Sequence, residues 1–206
     1  MSTRSIFPIP IYEVDFPDFN TVKDTVFQSV LPYFDDPYEN KRRVDHFSDG
    51  ETIKTLGTKF EVHKEPNLQF LVDFIEHHCK IYWKECGYTN SVDPYITLMW
   101  GILTSKGGFT APHNHNPWPI AGAFYVNADY GSGDLFLENP LEVLLGKQPI
   151  DMDGPKIYTE KIRVKSGKLV LFPGWMRHHS QANTTNEQRL VLGFAAGSIL
   201  ESKPKS

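Results

Sequence analysis

Cysteine is scarce in this chain: two residues, Cys79 and Cys86, among 206. They stand seven apart in a helical pattern, so roughly 10 Å of helix rise separates them, beyond the reach of a disulfide. A disulfide scaffold is excluded, and both thiols are expected as buried apolar positions of a reduced, cytoplasmic protein. Cationic excess is also missing. The formal net charge is −4, which argues against a nucleic-acid binder resting on a broad basic surface. No apolar run approaches the ~20 residues of a membrane span, and MSTRSIFPIPIYEV shows no signal-peptide core. Repeats, low-complexity stretches and linkers are absent too, so residues 1–206 are read as one domain.

Turn formers and aromatics are abundant instead: 15 Gly, 15 Pro, 14 Phe, 9 Tyr and 4 Trp. Two helices are expected in the first half. One runs from Thr21 to Leu31, with Asn20 as its N-cap and Val22, Val26 and Val30 on one face. The other carries Leu68, Leu71, Ile75, Cys79, Tyr82 and Cys86 at helical spacing and stops at Gly87. His77 and His78 on that helix read as solvated or capping. Pro8 and Pro10 suit an edge strand.

Beyond residue 94 the pattern changes to strands. Tyr95–Thr104 alternates Ile96, Leu98, Trp100 and Ile102 on one face. Ile120–Ala128, Asp134–Glu138, Glu160–Val164, Lys168–Phe172 and Arg189–Ala195 follow, separated by turn residues. The fold class is mainly β with flanking α: an antiparallel barrel or sandwich, core about 94–198, with a helical flank about 18–87 packed outside. Residues 35–55, with Lys41, Arg42 and Arg43, and residues 140–155 read as surface loops at the rim of a site.

Eight histidines stand against the two cysteines. His113 and His115 are two apart in APHNHNPWP, so in extended backbone both rings face one side. His178 follows a buried strand that ends in Pro173-Gly174, and is expected in a loop. Neutral imidazoles are common metal ligands, and three of them leave open positions on a non-haem metal. Arg189 begins the apolar strand RLVLGF. Pointing inward, it would need an anion, and its planar fork suits a carboxylate; otherwise it is an exposed residue beside Glu187.

The ordered pieces FPIP, MWGILTSKGGF, PHNHN before AGAFYV, GDLFLENP, GKLVLFPGWMRH and EQRLVLGF resemble the 2-oxoglutarate and Fe(II)-dependent oxygenases, within them a small branch found in bacteria and their viruses. That resemblance implies a double-stranded β-helix (jelly-roll) and a hydroxylase using Fe(II), 2-oxoglutarate and dioxygen. It makes His113 the first iron ligand and His178 the last, with Arg189 binding the distal carboxylate of 2-oxoglutarate and Tyr125 as its partner. Trp100 and Trp175 would form barrel wall, and His179 would point away. Where the superfamily has Asp or Glu two residues after the first histidine, this chain has His115. His115 is taken as the third ligand, with Asp134 and Glu138 as weaker substitutes. His46, His63, His77, His78 and His179 are set aside.

The implied substrate is a small molecule or a protein side chain, with neither nucleic acid nor membrane as partner and a homodimer left open. A cupin is the competing barrel: Gly167, Pro173 and His178 fit its second motif. Pro119 and Ile120 stand where its glutamate belongs, Trp175 replaces a glycine, and Asn183 falls one position late. A non-catalytic module on the same barrel is the third reading, against which His113, His178 and Arg189 speak.

Overall fold

A computed structural model describes residues 8–34, 52–55, 61–141 and 158–198. Its strands are β1 (Tyr12–Asp15), β2 (Thr52–Lys54), β3 (Tyr95–Thr104), β4 (Ile120–Asn127), β5 (Leu135–Glu138), β6 (Thr159–Ile162), β7 (Lys168–Pro173), β8 (His178–Ser180) and β9 (Arg189–Gly197). They form a six-stranded sheet in the order β1-β7-β4-β9-β3-β2 and a three-stranded sheet in the order β6-β5-β8. Every pairing is antiparallel. The expected mainly-β fold is present, and helices α1 (Lys23–Val30) and α2 (Gln69–Glu85) supply its flank. Among the described residues no helix is long and apolar enough to cross a membrane.

The period of two along each central strand divides the side chains between two cores. In β4, Ile120, Phe124 and Val126 pack with the helices, whereas Ala121 and Tyr125 belong to the core between the sheets. In β9, Leu190, Leu192 and Phe194 face the helices, and Val191 faces inward. All nine residues of β9 are buried, as expected of a strand covered on both faces. Phe124 anchors the helical side, with Phe19 at 5.1 Å and Phe16 at 6.3 Å between ring centres. Burying such a ring contributes about 2–3 kcal/mol.

Several expectations need correction. Helix α1 starts at Lys23 after a 3-10 turn over Phe19–Thr21, so Asn20 lies inside that turn and no side chain caps the helix. The register of β3 against β9 shifts between Ile96 and Leu98. That bulge moves Ile96 onto the helix-facing core with Met99 and Leu103, while Trp100 and Ile102 line the interior. A bulge inserts one residue and so reverses the alternation beyond it. Thr52–Lys54, read as loop, is an edge strand on β3. Residues 35–51 and 142–157, with His46, Lys41, Arg42 and Arg43, lie outside the described residues. His78 is half-buried, its Nδ1 2.8 Å from the Tyr12 hydroxyl. Cys79 is buried, Cys86 only half so, and both are free thiols.

Candidate metal and cosubstrate site

His178 is not in a loop. It opens β8, whose register sets it opposite Leu137 of β5, and it bridges to His113. The His113 N–H donates to the His178 carbonyl at 3.0 Å, and the His178 N–H returns the bond at 2.9 Å. His115 is held by its own N–H, which donates to the Gly174 carbonyl at 2.7 Å. A Cβ on Gly174 would collide with the backbone of Trp118, so only glycine lets these segments approach. The three imidazoles meet as a result, with ring centres 4.3–5.0 Å apart and one ligand nitrogen of each within 4.8 Å of the others.

Two rings have their tautomer fixed. His113 Nδ1 lies 2.8 Å from the Ala111 carbonyl and His178 Nδ1 2.9 Å from the Met176 carbonyl. A carbonyl only accepts, so each Nδ1 carries the proton and each Nε2 keeps its lone pair. Burial, then the neighbouring His113 and Lys54, pushes the His115 pKa down to about 4. Burial, with His113 next, holds His178 well below the ordinary histidine value. Neutral rings with Nε2 directed into a cavity are what a divalent metal requires. Trp100 flanks His115 at 5.3 Å and Phe172 flanks His178 at 4.6 Å.

Arg189 shares that cavity with the histidines and Tyr125 and is 2% exposed, so it is an interior residue. Its Nη1 donates to the carbonyls of Ser132 at 2.7 Å, Gly133 at 3.0 Å and Gln181 at 3.3 Å. Its Nη2 meets Ser180 Oγ at 3.0 Å and Thr104 Oγ1 at 3.5 Å. Nε is buried and has no hydrogen-bond partner among the described residues. A guanidinium stays charged, so a buried one with an idle Nε and, among the described residues, no carboxylate in ion-pair contact is suited to an incoming anion. Tyr125 is also buried, and that burial pushes its phenol pKa up and keeps it neutral. Facing Val191 in the register, it stands one residue pair from Arg189 on the inner face.

The substitute ligands are committed elsewhere. Asp134 pairs with Lys161 at 2.9 Å, and Glu138 with Arg177 at 2.7 Å and His179 at 3.1 Å. His179 stacks on Phe136, its ring centre 5.2 Å away, on the strand face opposite His178. Trp100 is buried at the site, but Trp175 is 41% exposed and forms no barrel wall. Ser180 and Thr104, which brace Arg189, carry no sequence signature. Neither does Lys54, buried on the short edge strand.

Residues 98–195 match a family model described as "Putative 2OG-Fe(II) oxygenase". Over this span, just under half of the chain, the sequence is similar to that family. The span contains the three histidines, Tyr125 and Arg189. Solved structures resemble this chain in fold. AviO1 from Streptomyces viridochromogenes Tue57 has a TM-score of 0.59 and 14% identity, covering 93% of this chain and 91% of its own. A Pseudomonas putida prolyl-4-hydroxylase has a TM-score of 0.55 and 11% identity, covering 91% and 92%. HygX from Streptomyces hygroscopicus, solved with nickel, 2-oxoglutarate and hygromycin B bound, has a TM-score of 0.56 and 13% identity, covering 93% and 84%. A search of curated protein sequences finds no match.

Proposed function

We propose that this oxygenase holds Fe(II) on His113, His115 and His178, anchors 2-oxoglutarate at Arg189, and hydroxylates a C–H bond of a small molecule or protein side chain. The observation that carries this reading is one cavity holding three converging imidazoles and a buried arginine with an idle Nε. The residues fit the group: two of the three rings have Nδ1 tied to backbone carbonyls, and the free Nε2 atoms are metal donors. Bound iron with 2-oxoglutarate and dioxygen supplies the oxidising chemistry, releasing succinate and carbon dioxide.

The chain's own residues bind and orient. Nε and Nη2 of Arg189 form the edge offered to a distal carboxylate, and the Ser180 hydroxyl beside Nη2 can add a donor. Tyr125, kept neutral by burial, offers a phenol O–H on the same face. Trp100, Phe172, Ile102 and Val191 supply apolar walls that exclude water. We read residues 1–206 as one domain, and the widely spaced free thiols favour a cytoplasmic setting.

The test is 2-oxoglutarate turnover in the presence of Fe(II) and oxygen, measured as succinate. Succinate that requires both Fe(II) and His178 supports the proposal. Metal-bound protein that forms none, with candidate substrates and without, rejects it in favour of a cupin-type or non-catalytic barrel.

A further inference from the structure

Strand β8 is three residues long and carries two adjacent histidines. The alternation of a strand sends them to opposite faces, His178 toward the cavity and His179 outward. A slip of one residue would exchange the two faces, and the sequence would still present an imidazole inward. The pairing with β5 sets His178 opposite Leu137 and His179 opposite Phe136. A strand this short has few ladder bonds to fix its register, so the contacts on its outer face help decide which ring points inward.

Glu138, the last residue of β5, holds that outer face. Its Oε2 accepts from Arg177 Nε at 2.7 Å, and its Oε1 accepts from His179 Nδ1 at 3.1 Å. The two donors stand on either side of His178. The Glu138 N–H also donates to the Arg177 carbonyl at 2.8 Å, so main chain and side chain grip the same residue. His179 lies flat against Phe136, with ring centres 5.2 Å apart and planes at 6°. Phe136 in turn faces Lys161 of β6, whose Nζ is 5.9 Å from the ring centre. Lys161, Phe136 and His179 thus form one row across all three strands of the sheet. Turning His179 inward would give up both the stack and the carboxylate.

From this we infer that Glu138 is a positioning residue for the metal site: by clasping Arg177 and His179 it fixes His178, and not His179, as the inward ring. The inference rests on the function proposed above and deepens it. Glutamine at this position keeps one acceptor oxygen where the carboxylate has two, so it can hold only one of the two donors. Alanine holds neither. The Arg177 side chain is 59% exposed, and an ion pair so close to solvent adds little to global stability. Loss of the clasp is therefore read at the metal and not in unfolding.

The test is Co(II) titration of the full chain, followed by the visible ligand-field absorption of the bound ion, beside circular dichroism melts of the metal-free protein. Glu138→Ala is expected to raise the Co(II) Kd at least fivefold and to change the shape of the absorption band, with a thermal midpoint within a few degrees of the parent. Glu138→Gln is expected to fall between parent and alanine variant, and it decides the matter by the same readings if Glu138→Ala does not fold. Glu13→Ala removes another exposed ion pair, with Lys168 at 2.7 Å on the other sheet, and is expected to leave affinity and band unchanged. Parent-like affinity and band in both Glu138 variants overturn the clasp and leave the proposed function standing. An equal loss in Glu13→Ala and Glu138→Ala marks a general effect on the fold and overturns the clasp as well. No Co(II) binding by the parent overturns the metal site itself, and the clasp with it.

Discussion

His113 and His178 exchange a reciprocal pair of backbone hydrogen bonds, at 3.0 and 2.9 Å, while their rings stand 4.3 Å apart. The bridge is made by main-chain atoms, so it survives truncation of either side chain. His113→Ala and His178→Ala should therefore fold, with thermal midpoints within a few degrees of the parent in the metal-free state, corresponding to about 1 kcal/mol. Both should lose bound Fe(II). Circular dichroism melts beside metal analysis check this, and a variant that fails to fold contradicts the separation of scaffold from ligand.

Arg189 has both a structural and a binding assignment. Removing it as Arg189→Ala strips donors from the buried carbonyls of Ser132, Gly133 and Gln181, at a cost of about 2–4 kcal/mol. It should also weaken 2-oxoglutarate binding by two orders of magnitude or more. Arg189→Lys keeps the charge and loses the fork, so binding should remain at least tenfold weaker than in the parent. Urea unfolding and calorimetric titration of 2-oxoglutarate measure the two effects separately.

Gly133 is the backbone position on which Arg189 rests. It has φ near +100°, and a Cβ there would meet the Gln181 carbonyl and the Arg189 guanidinium. Gly133→Ala combines strain in a left-handed backbone with displacement of the cation. It should destabilise the fold by roughly 1–3 kcal/mol and weaken 2-oxoglutarate more than it weakens metal alone. Parallel titrations of metal and cosubstrate report the difference.

Acid should destabilise the metal-free protein through the site itself. His115 has its pKa lowered to about 4, mainly by burial, against ~6.5 when unfolded. Because the unfolded chain takes the proton first, the contribution is full above pH ~6.5. It falls as pH drops from there to about 4 and then levels off. Its size is on the order of 3 kcal/mol, and His178 acts in the same direction. Unfolding free energies between pH 7.5 and 4 test the slope, which should flatten in His115→Gln. An equally steep slope in that variant contradicts the assignment.

Much of this was readable in advance, for identifiable reasons. β3 matches Tyr95–Thr104 end to end, because ten residues of β-prone sequence lie between clear turn signals. The H-x-H pair follows from the period of two along extended chain, whereas the interior place of Arg189 follows from the resemblance, since the local sequence leaves it open between an inward residue and an exposed one beside Glu187. Errors arose where a local rule met a tertiary one. The bulge after Ile96 reversed the alternation along β3. His178 looked like a loop residue because Pro173-Gly174 precedes it, yet the three-residue β8 exists only through pairing with β5 and the bridge to His113. Trp175 passed for barrel wall on aromatic character alone. Ser180 and Thr104 were invisible because their role depends on where Arg189 reaches, and Lys54 because a three-residue edge strand has too little periodicity to read.

The central claim is that His113, His115, His178 and Arg189 form one iron and 2-oxoglutarate site, and anaerobic titration of Fe(II) with 2-oxoglutarate tests it most directly. The account predicts a visible metal-to-ligand charge-transfer band that saturates with one equivalent of each and vanishes in His178→Ala and Arg189→Ala. No band in the parent protein, or an undiminished band in both variants, would contradict it.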